Sequence, residues 1–355
     1  MLDETLDETV DVAVIGAGPA GACAAAALAE QGGPLALIAP SPVPRHTDSG
    51  DELPPEPQSP HPALGLPAHL AARAPKTLAA APMTDRRGAH LRVAQPRPGW
   101  GLSRYAMDAA LAAAAVERGA VLLAETTALA AEPSPVGVTL RLRRRSAVSV
   151  LRARTVLMAG GRQSAHRLPP SVVSPGGRPR YVGVKAHVAN LTMPRQVALY
   201  LFDGGYVGIN LVETGHANVC LLATYEAFSR AGGTPEGMFG AIADQNRAFR
   251  ARMTGTQVLP DTICTVAGVD TGRPAVPWDG MACLGDTATM IPPLCGDGMA
   301  MALRSAELCA PLAHDYLRGA LTLDQWRDHY ESRWHTEFDR RLRTGRFLQH
   351  ALGRE

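Results

Sequence analysis

Three glycines near the start of the chain, at positions 16, 18 and 21, have the spacing of a pyrophosphate-binding turn. The apolar run 10–15 before them predicts a buried strand, and residues 19–30, mostly Ala and Leu, predict a helix. In such a unit the first glycine allows a tight turn, the second lets a phosphate approach the backbone, and the third lets helix and strand pack closely. The helix N-terminus adds amide donors and the positive end of its dipole. The pattern therefore predicts dinucleotide binding at Gly16, Gly18, Pro19, Ala20 and Gly21.

A second group of residues follows the predicted strand 280–284. Gly285 and Asp286 come directly after it, and the turn that contains Pro293, Gly296, Asp297 and Gly298 precedes a predicted helix. A buried carboxylate at Asp286 needs hydrogen-bond donors, which ribityl hydroxyls would supply. The amides at the helix start would favour the negative charge that grows on the pyrimidine edge of a flavin during reduction. An ordinary Asp cap on a loop is the alternative.

Taken with the loop Ala159–Arg167, these motifs resemble the glutathione-reductase-type FAD superfamily in its single-component branch. That branch contains aromatic-ring hydroxylases, geranylgeranyl-reductase-like enzymes and tryptophan-halogenase-like oxidoreductases. The resemblance covers most of the chain and implies non-covalent FAD as the cofactor. Its central A-D-G-x-x-S-x-x-R string is matched by Ala159, Gly161, Ser164 and Arg167, and its ribityl-binding and flavin-edge strings are matched by the second group above.

Two further strings extend the resemblance. Gly99-Trp-Gly-Leu-Ser-Arg104 resembles the segment whose arginine contacts FAD, which implies that Arg104 reaches the cofactor from the start of the helix predicted over 105–118. Gly50-Asp-Glu-Leu-Pro54 and Leu64-Gly-Leu66 resemble a G-E-x-L-P…L-G-L segment of halogenase-like and reductase-like members, with one extra residue.

The sequence departs from the family at two cofactor contacts. The acid that ends the second strand and binds the adenosine ribose is replaced by Ala39, and the central Asp is replaced by Gly160. Both changes remove hydrogen bonds to the cofactor, so that FAD affinity is reduced or Arg45 or Ser41 compensates. A protein that no longer binds FAD is a further alternative.

The predicted strand 181–188 carries the candidate residues for contact with a substrate. Alternation places Lys185 and His187 on one face and the valines on the other. If the polar face lines a cavity above the flavin, His187 could transfer a proton and Lys185 could steady an anionic group, so these are the candidate catalytic residues. If that face is solvated, the valines line the cavity, the substrate is more apolar, and a reductase becomes the better interpretation.

Other reactive side chains give weaker signals. Cys295 stands beside the predicted flavin edge, where a redox role would require a lowered thiol pKa. Asp297 there is either a helix cap or a proton-handling group. The dispersed histidines show no metal-ligand spacing, and no hydrolase nucleophile motif occurs, so we expect no metal centre.

The chain of 355 residues is expected to form an α/β fold. Residues 1–177 are assigned to the first part of a Rossmann-like FAD-binding domain, 178–270 to an inserted antiparallel β-sheet substrate domain, and 271–355 to the return of the FAD domain with C-terminal helices. The sequence changes character near residue 178, where short β-rich runs predict strands at 181–188, 196–202, 206–211 and 217–224 with turn signals between them, and a helix is predicted over 236–253. In the last helix Trp326, Tyr330, Trp334, Phe338 and Leu342 recur every four residues and predict a buried stripe.

Composition limits the class of partner. A net charge of +2 does not indicate a surface that binds nucleic acid. Neither a signal peptide nor an apolar run of about 18 residues, the length of a membrane span, is evident. The six scattered cysteines favour free thiols in a reducing cytoplasm.

These observations lead to an expected function. The protein is interpreted as an FAD-dependent oxidoreductase, and a monooxygenase of an aromatic or conjugated small molecule in a biosynthetic pathway is favoured. No separate nicotinamide-binding glycine turn occurs. Single-component hydroxylases also lack one, so the resemblance is compatible with NAD(P)H as a transient electron donor. The alternatives are a reductase or dehydrogenase of alkene or C–H bonds and a flavoprotein that modifies a partner polypeptide or carrier.

Overall fold

The computed structural model describes residues 7–47, 50–55, 66–162 and 181–352. Within these ranges the strands are β1 (Asp7–Ile15), β2 (Leu35–Ile38), β3 (Glu52–Leu53), β4 (Lys76–Thr84), β5 (His90–Gly101), β6 (Val121–Leu123), β7 (Thr126–Ser134), β8 (Gly137–Arg144), β9 (Ala147–Met158), β10 (Tyr181–Ala189), β11 (Ala198–Phe202), β12 (Gly205–Leu211), β13 (Ala217–Thr224), β14 (Gln257–Val269) and β15 (Ala282–Cys283). The helices are α1 (Pro19–Ala29), α2 (Leu66–Ala71), α3 (Arg104–Glu117), α4 (Tyr225–Arg230), α5 (Pro235–Gln245), α6 (Arg247–Met253), α7 (Gly298–Leu317) and α8 (Leu323–Leu352).

The first sheet carries the dinucleotide fold. Its order is β6-β2-β1-β9-β8-β7, with β15 added to the end of β9. The strands β6, β2, β1, β9 and β15 pair in parallel, whereas β8 and β7 form an antiparallel extension. The consecutive residues Val12, Ala13 and Val14 are all buried, as a parallel strand covered on both faces requires.

The second sheet has the order β14-β10-β13-β12-β11-β4-β5-β3. All of its pairings are antiparallel except β11 with β4. The strands predicted near 181–188, 196–202, 206–211 and 217–224 are therefore present. The segment 52–101 adds β3, β4 and β5, for which the alanine- and proline-rich sequence gave no strand signal.

Short helices cover one face of the second sheet. Met238, Ile242 and Phe249 pack against its buried valines. The single helix expected over 236–253 is divided into α5 and α6 at Asn246, whose side-chain oxygen accepts hydrogen bonds from the amides of Ala248 and Phe249. This buried amide starts a new helix, which helical periodicity alone could not reveal.

The last helix packs its aromatic stripe into the main core. All five residues of the predicted stripe are buried, so that prediction is confirmed. The hydroxyl of Tyr330 donates a hydrogen bond to the carbonyl of Cys283 at 2.9 Å. Helix α8 is thereby tied to the strand that precedes Gly285 and Asp286.

Two general properties of the described part of the chain complete the fold. None of its helices combines the length and the apolar character needed to cross a bilayer. All six cysteines are free thiols.

Candidate functional site

The glycine turn between β1 and α1 has the geometry that close approach to a phosphate requires. Gly16 has φ of +114°, and a Cβ at this position would collide with the carbonyl oxygen of Ala159. A Cβ at Gly21 would collide with the carbonyl oxygen of Gly16. Gly18 is the N-cap of α1. Because glycine has no side chain to accept a hydrogen bond from the helix, the amides of the first turn remain available to an anion.

These residues open onto a cleft of about 320 Å³, a size typical of cofactor and small-molecule sites. Of the predicted cofactor residues, those that line the cleft are Gly16, Gly18, Pro19, Ala20, Arg104, Gly161, Asp286 and Gly298. The others, which are not among the lining residues, are Gly21 in the first turn of α1, Gly285 after β15, and Pro293, Gly296 and Asp297 in the turn before α7.

Arg104 projects into this cleft from the first residue of α3. Its guanidinium makes two hydrogen bonds of 2.9 Å to the carboxylate of Asp108, one turn later in the same helix. A Cβ at Gly18 would lie 3.7 Å from Nη2 of Arg104, so the guanidinium lies beside the glycine turn. Arg104 is therefore in reach of a pyrophosphate held at the start of α1.

The Gly285-Asp286 turn is joined to the central loop of the first sheet. The amide of Gly285 donates to Ser305 Oγ at 2.9 Å, and the amide of Gly161 donates to Thr287 Oγ1 at 3.0 Å. Arg273 donates to the carbonyl oxygens of Asp286 and Thr287 at 2.7 and 2.8 Å. Arg273 lies in a loop with no motif of its own, so no sequence signal pointed to it. Ser164 and Arg167 of the central string lie outside the described residues, as does Leu64-Gly65.

The turn 291–298, the predicted flavin edge, is held from outside by α8. A Cβ at Gly345 would lie 2.8 Å from Sγ of Cys295, so helix and turn are in close contact. Arg341 of α8 donates to Asp297 Oδ2 at 3.2 Å, while Asp297 makes no side-chain cap at the start of α7. Burial, followed by the charge of Asp297, raises the pKa of Cys295 to about 11, which leaves its thiol protonated at neutral pH.

The two departures from the family pattern both lie on the cleft wall. Ala39 and Gly160 line it, and neither side chain can accept a hydrogen bond from a ribose hydroxyl. Ser41 and Arg45, the two residues expected to compensate, also line the cleft.

Lys185 and His187 lie on the face of β10 opposite the valines, as alternation predicted. Neither is solvated, because their exposed fractions are 0% and 4%. Neither is among the residues that line the cleft. Lys185 Nζ and His187 Nε2 each donate to the carboxylate of Asp51, both at 2.7 Å. Asp51 belongs to the Gly50–Pro54 string, but nothing in that string indicates a contact with residues of the strand 181–188.

The same face of the second sheet continues toward the turn 291–298 as an apolar wall. It is formed by Tyr181, Leu199, Leu201, Tyr206, Leu222, Val266 and Val269, which pack with Met290 and Leu294. The hydroxyl of Tyr206 is buried and has no hydrogen-bond partner among the described residues. Burial holds the pKa of this phenol well above its usual value, so that it remains a hydrogen-bond donor. We call the seven residues Tyr181, Leu199, Leu201, Tyr206, Leu222, Val266 and Val269 the apolar wall.

Chemically, the arrangement offers helix-terminal amides, a guanidinium and a carboxylate along one cleft. This donor set suits a dinucleotide with a pyrophosphate and a polyol chain. No group of three or more His, Cys, Asp or Glu side chains in the described part of the chain is placed to hold a metal ion.

The architecture is similar to that of known proteins, and a curated relative also has detectable sequence similarity. Digeranylgeranylglycerophospholipid reductase 2 of Methanopyrus kandleri is 28% identical over 366 residues, which cover 96% of this chain and 85% of that protein. The myxobacterial chondrochloren halogenase, an FAD-dependent halogenase, superposes with a TM-score of 0.80 at 18% identity and covers 95% of this chain and 82% of its own. PqsL of Pseudomonas aeruginosa, a probable FAD-dependent monooxygenase, superposes with a TM-score of 0.76 at 20% identity and covers 97% of both chains.

These similarities confirm the α/β fold class and the superfamily resemblance found in the sequence. The family model described as FAD binding domain matches residues 9–333, nearly the whole described chain. The chain belongs to the FAD binding domain family.

Proposed function

We propose that this protein is an FAD-dependent monooxygenase that acts on an apolar aromatic or conjugated small molecule. The observation that carries the proposal is the meeting of two surfaces: the dinucleotide cleft ends near the turn 291–298, and the apolar wall faces that turn. When bound, FAD would supply the electron transfer, and the protein would supply binding, orientation and electrostatics.

The cofactor would be held by residues that lie along the cleft in order. The amides at the start of α1 and the guanidinium of Arg104 would bind the pyrophosphate, and Asp286 would accept hydrogen bonds from the ribityl hydroxyls. The start of α7, at Gly298, lies at the other end and would favour negative charge there. FAD would be bound without a covalent link.

The substrate would lie against the apolar wall. Its three leucines and two valines exclude water and favour a ligand with few charges. The buried hydroxyl of Tyr206 lacks a partner within the described chain, and a polar group buried in this way costs free energy unless a ligand completes its hydrogen bond. We therefore assign Tyr206 as the donor that orients one polar atom of an otherwise apolar substrate.

Electrons would come from NADH or NADPH bound transiently. The test is to measure NAD(P)H oxidation and oxygen uptake by the FAD-loaded protein, with and without a panel of phenolic, indolic and polyene compounds. Substrate-stimulated oxygen uptake with one oxygen atom in the product supports monooxygenation. Turnover that proceeds equally well without oxygen contradicts it.

An alkene reductase is the second candidate, because the reductase of Methanopyrus kandleri aligns over 96% of this chain. The apolar wall would equally suit a hydrocarbon chain. Saturation of an isoprenoid double bond by dithionite-reduced protein under anaerobic conditions would support this function. In that case the oxygen-dependent activity would be absent.

A further inference from the structure

We propose that Asp51, Lys185 and His187 form a latch by which the second sheet fixes the N-terminus of α3, and with it Arg104, beside the glycine turn. The inference rests on the proposed role of this cleft in FAD binding. It makes the three residues positioning residues rather than catalytic ones, because none of them lines the cleft.

The carboxylate of Asp51 is fully buried and has three donors from two regions of the fold. Oδ1 accepts from Lys185 Nζ at 2.7 Å and from the backbone amide of Arg104 at 2.9 Å. Oδ2 accepts from His187 Nε2 at 2.7 Å. One carboxylate therefore joins strand β10 to the first residue of α3.

The backbone of Asp51 extends the same connection. Its carbonyl oxygen accepts from the amide of Leu102 at 3.1 Å and from Asn210 Nδ2 at 3.0 Å. Asn210 in turn accepts from Asn218 Nδ2 at 3.2 Å. A network of hydrogen bonds thus runs from β13 through β12 and the 50–53 segment to the residues that begin α3.

A second carboxylate from the same sheet binds the same helix end. Glu213, between β12 and β13, accepts from the amide and the hydroxyl of Ser103 at 2.7 and 2.6 Å. Ser103 is the N-cap of α3. Two acidic groups of this kind are favoured at a helix N-terminus, where amide donors and the helix dipole attract negative charge.

The charges within the latch balance only when Asp51 and Lys185 are both present. Burial alone would raise the pKa of Asp51, but the charge of Lys185 and the hydrogen bond from His187 outweigh it and hold that pKa below its usual value. Asp51 is therefore an anion beside the Lys185 cation. Removing either partner leaves an uncompensated buried charge, whereas removing both does not.

Arg104 transmits this arrangement to the cofactor site. Its amide is bound to Asp51, its guanidinium is fixed by Asp108, and Nη2 faces Gly18. When the latch is broken, the first turn of α3 loses a fixed partner, and the guanidinium loses its position relative to the pyrophosphate. The latch therefore controls FAD affinity from a site that FAD does not touch.

The test compares FAD affinity in charge-matched variants. Asp51→Asn, Lys185→Met and the double variant would be titrated with FAD by fluorescence at a temperature at which every apoprotein is folded. We expect each single change to raise the FAD Kd at least about tenfold and the double change to return it to within about threefold of the original. Lys76→Met and the exposed Asp244→Asn are matched controls and should leave Kd unchanged.

A second pair of variants covers the case in which the single charge variants fail to fold. His187→Gln keeps an amide donor toward Asp51 and should leave Kd unchanged, whereas His187→Leu removes the donor and should raise it. Equal losses of thermal stability in the apo and FAD-loaded forms, with unchanged Kd throughout, would show a purely structural role and overturn the latch. Failure of the unaltered protein to bind FAD would overturn the proposed function, and the latch with it.

Discussion

At the scale of single residues, the cofactor side could be predicted because its signals are local. Gly16, Gly18 and Gly21 act within one strand–turn–helix unit, so their spacing in the sequence is their spacing in space. The latch could not be predicted in this way. Asp51 and Lys185 are 134 residues apart and lie on parts of the second sheet that are not adjacent, so no local pattern in the sequence could join them.

Replacing Gly18 by Asp tests the pyrophosphate turn. The new carboxylate would project toward the cleft that Arg104 also faces, and it would repel a phosphate there. We expect about a hundredfold or greater loss of FAD affinity, measured by titration of the folded apoprotein. Gly240→Asp, on an open position of α5, is the control. Full FAD retention by Gly18→Asp would remove the turn from the binding site.

Replacing Asp286 by Ala tests the ribityl contact. Loss of a carboxylate acceptor on the cleft wall should weaken FAD binding by about 1–3 kcal/mol. The cost would appear as a faster dissociation of FAD after dilution of the complex. A dissociation constant equal to that of the unaltered protein would contradict the assignment.

At the scale of elements, the long helices and most strands were visible in the sequence, and the errors have physical causes. The expected helix 236–253 is interrupted where a buried Asn246 serves as a cap. Strands β4 and β5 were missed because alanine and proline carry little strand signal, and their partners, β11 and each other, supply the pairing. In both segments, contacts with the rest of the fold outweigh the secondary-structure preference of the local sequence.

The contact of α8 with the turn 291–298 gives a prediction about this pair of elements. Gly345→Ala would place a methyl group 2.8 Å from Cys295 Sγ and 3.2 Å from Pro292 Cδ. Overpacking of this kind typically costs about 1–3 kcal/mol, which denaturant unfolding would measure. Gly240→Ala in α5 meets open space and should be neutral or stabilising because Ala is the better helix former. Equal effects of the two changes would refute the close contact.

At the scale of the whole molecule, the two-sheet plan followed from the change in sequence character near residue 178, and the superfamily resemblance supplied its interpretation. The structure adds that the segment 52–101 contributes strands to the second sheet, so the chain enters that sheet before residue 178. The buried ion pair and the carboxylate of Glu213 join this sheet to α3 of the first. Buried charged groups thus connect the second sheet to the helix that carries Arg104.

The buried pair also predicts how global stability responds to acid. The pKa of Asp51 is lowered in the folded protein from its ordinary value of 3.8, so its stabilising contribution is present above that pH and is lost as the pH falls further. Asp51→Asn should be less stable near neutrality by about 3–5 kcal/mol. The difference between the two proteins should shrink below a pH of about 4, as measured by denaturant unfolding at a series of pH values. A difference that stays constant down to the lowest pH would contradict the ion pair.

The central claim is that this cleft holds FAD, and the absorption spectrum of the purified protein with added FAD tests it most directly. We predict a yellow protein that retains one FAD per chain through gel filtration, shows the two-band spectrum of an oxidised flavin, and releases intact FAD on denaturation. A folded protein that stays colourless after incubation with excess FAD would contradict the claim, and would indicate that the losses at Ala39 and Gly160 have abolished cofactor binding.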